Sequence, residues 1–121
     1  MEFNNQLAIY LQIVERIYED ILLGKLKEGE RMPSVREMAV NTEVNPNTVM
    51  RSYAYLQEKE IIFNKRGIGY FICDTVFNKI QNMKKEEFLE QELPKLFKSM
   101  QLLNIDIKDL EKQFEVYKKE K

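Results

Sequence analysis

Apolar residues along this chain recur at two periods, and the switch between them marks its segments. Leu7, Tyr10, Leu11, Val14, Ile17, Tyr18, Ile21 and Leu22 fall three and four apart, with Glu15, Arg16, Glu19 and Asp20 between them. That spacing predicts an amphipathic helix over 7–23, closed by Gly24. Lys25 to Arg31 reads as a polar connection that Leu26 anchors to the core. A second helix is expected near 34–42, turning Val35, Met38 and Ala39 inward. A third follows Asn45: Val49, Tyr53 and Leu56 lie on one stripe, while Asn47, Thr48, Arg51, Ser52 and Tyr55 gather on the other side.

The starts of these two short helices are chemically marked. Ser34 with Glu37 three positions on forms a capping box, and Asn45 followed by Pro46 pairs a cap with a first-turn residue that needs no amide hydrogen. Val44 between them is the apolar pin of a helix-turn-helix. One stripe of the third helix then packs inward and the other is free to read DNA. After Leu56 the period shortens. Ile61 to Asn64 is β-branched and aromatic, and Tyr70 to Cys73 is its antiparallel partner across Lys65-Arg66-Gly67-Ile68-Gly69, a hairpin with Lys65 and Arg66 at its tip.

From Asp74 on, the helical period returns. Val76, Ile80 and Met83, then Leu89, Leu93, Leu96, Met100 and Leu103, then Ile107, Leu110, Phe114 and Tyr117 trace one seam through three helical pieces. Pro94 is expected to kink or restart the middle piece, and Asn104-Ile105-Asp106 to break the next boundary, with Asp106 as a cap. Phe77, Phe88 and Phe97 add apolar surface beyond the seam. These 48 residues, 74–121, cannot enclose a core alone. Their surface folds back on the rest of the chain or, as we expect, packs on the same tail of a second copy. Phe77, Ile80, Leu89, Leu93, Leu96, Phe97, Met100, Leu103, Leu110, Phe114 and Tyr117 are the expected dimerisation residues.

The order Gly24, Gly29, Pro33-Ser34, Arg36, Thr48-Val49, Tyr53, Leu56 and Gly67-x-Gly69 resembles the GntR superfamily of bacterial winged-helix regulators across residues 1–73. Asn45-Pro46-Asn47-Thr48 and the short helical tail resemble its YtrA-type branch. The resemblance implies a mainly α fold with a small β-hairpin: a winged helix-turn-helix DNA-binding head over 1–73 and a helical dimerisation tail over 74–121. It implies a homodimeric transcriptional regulator, more specifically a repressor, on a pseudo-palindromic operator in double-stranded DNA. The expected DNA-contacting residues are Ser34, Arg36, Asn45, Asn47, Thr48, Arg51, Tyr55, Lys65, Arg66, Gly67 and Gly69. Glu60 stands where the family places a glycine, so the chain is expected to leave the third helix without the usual left-handed cap.

Composition narrows the chemistry. With no histidine and a single cysteine, the chain lacks the commonest general base and cannot build a structural zinc site from its own thiols, so neither an enzyme nor a cofactor or metal is expected. Cys73 continues an apolar strand and reads as a small hydrophobe. The formal net charge is −1. Positive charge is nonetheless local: residues 31–66 hold six basic side chains against four acidic ones, and residues 1–30 hold three against six. Weak nonspecific affinity follows, so binding should rest on two heads acting together. The acidic balance also suits a rival reading, a winged-helix protein-interaction module. No run approaches the roughly 20 apolar residues of a membrane span, and Met1 to Gln6 carries no basic signal region, so no membrane association and a cytoplasmic location are expected. A small-molecule effector remains open, because the tail carries no ligand signature.

Overall fold

The computed structural model describes residues 7–120, so the reading of Met1 to Gln6 lies outside the described residues. Helix α1 spans Ile9–Leu22, α2 Val35–Thr42 and α3 Pro46–Glu58, followed by β1 Ile62–Lys65, β2 Gly69–Ile72 and α4 Val76–Glu87. A π-helical turn, Phe88–Glu92, then leads into α5 Leu93–Leu103 and α6 Ile107–Glu120.

The first unit, which runs to Gln81, has a core drawn from every element it contains. Ile13, Ile17 and Ile21 of α1 meet Val49, Tyr53 and Leu56 of α3, with Ala39, Ile61, Ile62, Ile72, Val76 and Ile80 completing it. Each such side chain withdrawn from water contributes about 1.5–3 kcal/mol before entropy is charged against it. Leu7, expected on the apolar face of α1, lies ahead of the helix and is exposed; its carbonyl accepts from Gln12 Nε2 at 2.6 Å.

Helices α1, α2 and α3 end in the same way. The amide of the residue that follows a left-handed position reaches back across the last turn: Lys25 to the Asp20 carbonyl, Val44 to Ala39, and Ile61 to Leu56. This closure needs a left-handed residue, supplied by Gly24 at φ 79°, Glu43 at 56° and Glu60 at 61°. The expectation that Glu60 forgoes the left-handed cap is therefore corrected. The side chain accepts the strained conformation because Ile61 and Leu56, on either side of the closure, are both buried and hold it shut.

The hairpin pairs Ile62 with Ile72 and Lys65 with Gly69. A third stretch joins it, which the sequence marks as polar connection only. Arg31 bridges Phe71, Met32 N–H donates to Tyr70 O at 2.7 Å, and Ile72 N–H donates to Glu30 O at 2.9 Å. Met32 is buried by this pairing.

The expected boundary after residue 73 moves. Val76 and Ile80 are buried in the first unit, so its edge falls within α4, between Gln81 and Asn82. Glu28 secures the start of α4 by accepting from Phe77 N–H at 3.0 Å, and Lys79 Nζ donates to Lys59 O, at the end of α3, at 2.6 Å. In the second unit, Pro94 sits in the first turn of α5, directly after the π-helical turn. A wider turn there relieves the missing amide and the ring clash of proline. Asp106 and Asp109 exchange backbone-to-carboxylate hydrogen bonds of 2.9 and 3.2 Å, capping α6 as expected.

Candidate nucleic-acid interface

Both helix starts of the helix-turn-helix are built as the sequence indicates. Ser34 Oγ accepts from Glu37 N–H and Glu37 Oε1 accepts from Ser34 N–H, each at 3.0 Å. Asn45 Oδ1 accepts from Asn47 N–H at 2.8 Å, ahead of Pro46. These caps bear on the site. The Ser34 amide is occupied by a carboxylate, which leaves its hydroxyl hydrogen as the group able to meet a phosphate. The hydrogen bond from the Ser34 amide also holds the Glu37 carboxyl below the usual carboxylate range.

Behind the outer face of α3, Val49, Tyr53 and Leu56 are fully buried. In front of it, Asn47 and Arg51 are exposed and Thr48 and Tyr55 half-buried. Ser52 does not belong to this ridge. It is 0% exposed, and its hydroxyl, 2.8 Å from Tyr10 O and 3.2 Å from Thr48 O, ties α3 to α1. The apolar and polar stripes meet at Ser52, and α1 covers that seam. Met50, which sequence periodicity leaves unassigned, stands exposed on α3 beside Arg51. An apolar side chain there suits a thymine methyl group.

The hairpin tip is exposed from Phe63 to Ile68. Phe63 stacks on Phe71 with ring centres 5.8 Å apart, and Lys65 Nζ lies 5.2 Å over the Phe71 ring. Gly67 adopts φ 79° and Gly69 φ 141°. At Gly69 a Cβ would lie 2.9 Å from Arg31 Nε, on a flexible side chain able to move aside, so it is the left-handed φ that calls for glycine there. Arg31 thus adds a guanidinium to the hairpin beside Gly69, the register partner of Lys65, a contribution no local motif announced. Arg36 is exposed on α2, and the Asn45 side-chain oxygen is already used as a cap.

Tyr10 is the other residue that sequence reasoning misplaces. It falls at a core spacing, yet its ring is half-buried and lies under the Arg51 guanidinium, 3.9 Å from ring centre to Cζ. It meets Tyr55 edge to face at 6.3 Å, and Lys59 Nζ stands 5.6 Å over the Tyr55 ring.

The expected dimerisation residues divide. Ile80 is fully buried, and Met100 is 7% exposed, so neither is available to a second chain: each already fills space within its own. Leu93, Leu96 and Leu110 are half-buried. Phe77, Leu89, Phe97, Leu103, Phe114 and Tyr117 are exposed, as are Phe88, Leu102 and Val116. Cys73 is half-buried, and burial raises its thiol above the ordinary range. None of the helices among the described residues is long and apolar enough to cross a membrane.

Comparison with known proteins agrees with this geometry. Residues 9–72 match the family model described as bacterial regulatory proteins, gntR family. The HTH-type transcriptional regulator YhcF of Bacillus subtilis is 36% identical over 91 residues, covering 74% of this chain and 75% of the relative. The HTH-type transcriptional repressor YtrA of Bacillus subtilis is 37% identical over 83 residues, covering 69% of this chain and 64% of the relative. Among solved structures, a GntR-family protein from Bacteroides thetaiotaomicron superposes with a TM-score of 0.73 at 49% identity, covering 93% of this chain and 98% of the other.

Proposed function

The chain belongs to the GntR family of bacterial regulatory proteins and is a DNA-binding transcriptional regulator; from that premise we propose that it is a repressor acting as a homodimer on a pseudo-palindromic operator. One observation carries the reading. The exposed side of α3, with Asn47, Thr48 and Arg51, is held rigid by the fully buried Val49, Tyr53 and Leu56 behind it. Such a helix suits the major groove, with Asn47 matched to the donor and acceptor of adenine and Arg51 to paired acceptors. Thr48 and Tyr55 flank it. Arg36, Lys65 and Arg66 supply the phosphate contacts that set register, the Ser34 hydroxyl and Asn45 lie at the two helix starts, and Gly67 and Gly69 let the wing backbone approach the duplex.

Repression is supported by the relative YtrA, named as a repressor. A bound dimer lying across a promoter needs no further activity to block it. Dimerisation is supported by the exposed Leu89, Phe97, Leu103 and Phe114, which are an unusual run of apolar surface for a chain that works alone. The cytoplasm, where the chromosome lies, is the compartment this function requires. For an effector we favour the open groove lined by Phe97, Met100, Gln101, Asn104 and Ile105 to Ile107.

Selection of bound duplexes from a random pool tests the reading. Enrichment of an inverted repeat is expected. Failure to enrich any sequence, or affinity that stays flat as salt rises, would instead favour a protein-interaction module.

A further inference from the structure

Resting on the reading just given, we propose that Tyr10 is a positioning residue for operator recognition. Its ring holds the Arg51 guanidinium flat, so that the guanidinium edge meets the duplex as a preformed two-donor fork.

The geometry has three parts. Arg51 Cζ sits 3.9 Å from the Tyr10 ring centre, within the distance at which a guanidinium stacks on an aromatic face. Tyr10 is itself fixed from α3: Ser52, next to Arg51, is fully buried and donates its hydroxyl to the Tyr10 carbonyl at 2.8 Å. The ring also meets Tyr55 edge to face, with 66° between the planes. One turn of the recognition helix, Arg51 to Tyr55, therefore grips a single residue of α1 through backbone, ring edge and ring face.

What this leaves free is informative. In the stack we propose, the ring covers one face of the guanidinium and occupies none of its five N–H donors, which lie in the plane and point outward from its edge. Arg51 is exposed, and it makes no hydrogen bond or ion pair with any other described residue. Its charge is therefore steered but not spent. An unrestrained arginine loses rotamer freedom when it docks, and here that loss has already been taken on folding. The acceptor that fits is a close pair of oxygens or an oxygen with a nitrogen: O6 and N7 of a guanine, or two oxygens of one phosphate.

The test is a double-mutant cycle on the full chain with the duplex enriched from the random pool. Tyr10→Leu alone should raise Kd about five- to tenfold, by loss of the stack and of the pre-ordering. In an Arg51→Ala background the same change should add nothing, and Tyr10→Phe should bind as the unsubstituted protein does, because the ring rather than the hydroxyl makes the contact. Melting temperatures of all variants keep folding defects separate. Equal losses from Tyr10→Leu in both backgrounds would overturn the proposal and make Tyr10 an ordinary packing residue. Absence of any duplex binding by the unsubstituted chain would take down the regulator reading as well. Two further arms identify the acceptor: 7-deazaguanine substituted at single positions removes N7, and methylphosphonate substitution neutralises single phosphates. The position at which one of these costs affinity to the unsubstituted protein but not to Arg51→Ala is the partner of the fork. If no position behaves so, the fork has no acceptor and the proposal fails.

Discussion

The Tyr53 hydroxyl donates a 2.6 Å hydrogen bond to the carbonyl oxygen of Pro33, linking the middle of α3 to the residue that precedes the cap of α2. The two helices of the helix-turn-helix are thus joined by their side-chain packing and by one directed bond. Burial raises the Tyr53 phenol above its usual range, so it remains a donor at any physiological pH. Tyr53→Phe keeps the volume and strands the carbonyl. It should cost about 1–3 kcal/mol in urea unfolding, the penalty for an unsatisfied buried acceptor. A loss well under about 0.5 kcal/mol would mean that water replaces the phenol.

Glu60 holds a left-handed conformation, φ 61°, at the end of α3. A side chain there costs about 1–2 kcal/mol relative to glycine, partly offset by the greater freedom of glycine in the unfolded chain. Glu60→Gly should therefore raise stability by about 0.5–1 kcal/mol, with an unchanged m-value. If Glu60→Ala were equally stabilising, the gain would have to come from removing charge and not from the backbone.

Glu37 gives a pH signature. Its folded-state carboxyl is held low chiefly by the Ser34 amide, so its contribution is present above the unfolded value and is lost as pH falls through the folded one. Glu37→Gln keeps a reciprocal capping partner but cannot titrate. The stability difference between the unsubstituted protein and the Glu37→Gln variant should therefore shrink as pH is lowered from about 6 to about 3. Parallel curves across that range would show that Glu37 is not coupled to the cap.

Much of the fold is legible because its signals are local. Ser34, Glu37, Asn45 and Asp106 each mark a helix start through bonds spanning three residues or fewer, and Pro46 marks one by needing no amide bond. Non-local relations are not legible. The strand-like pairing of Arg31 with Phe71 joins residues far apart in sequence, and an isolated bridge leaves no alternating pattern. Periodicity places Ser52 on the wrong face because it cannot tell which neighbour covers a borderline position; here that neighbour is α1. Tyr10 falls at a core spacing, and only the tertiary structure shows its ring turned toward Arg51. Ile80 and Met100 carry the same period as the exposed seam, and periodicity does not say whether a seam closes within a chain or between two.

Wing and helix should separate in binding experiments. Lys65 and Arg66 lie on an exposed hairpin tip, where charge acts on phosphate or a narrow minor groove. Arg66→Ala should weaken binding to all duplexes alike and lower the salt slope by about one. Asn47→Ala should instead relax preference at one base pair, by about 1–3 kcal/mol. A wing substitution that changed the selected sequence would show that the hairpin reads bases.

The tail makes the sharpest demand on assembly. Leu103 and Phe114 are 68% and 58% exposed, so replacing them removes little from the folded monomer, whereas in a dimer seam each would be desolvated. Leu103→Glu with Phe114→Glu should leave the melting temperature measured at low protein concentration nearly unchanged and yield a monomer by sedimentation. Because the local charge of each head is small, a single head should hold DNA weakly, and linking two supplies the effective concentration that makes an inverted repeat a tight site. The variant should thus lose roughly 10²-fold or more on the full repeat but little on a half-site. A double variant that still sediments as a dimer would place the subunit contact elsewhere, and a monomeric unsubstituted protein would remove it; either result leaves these side chains without that role.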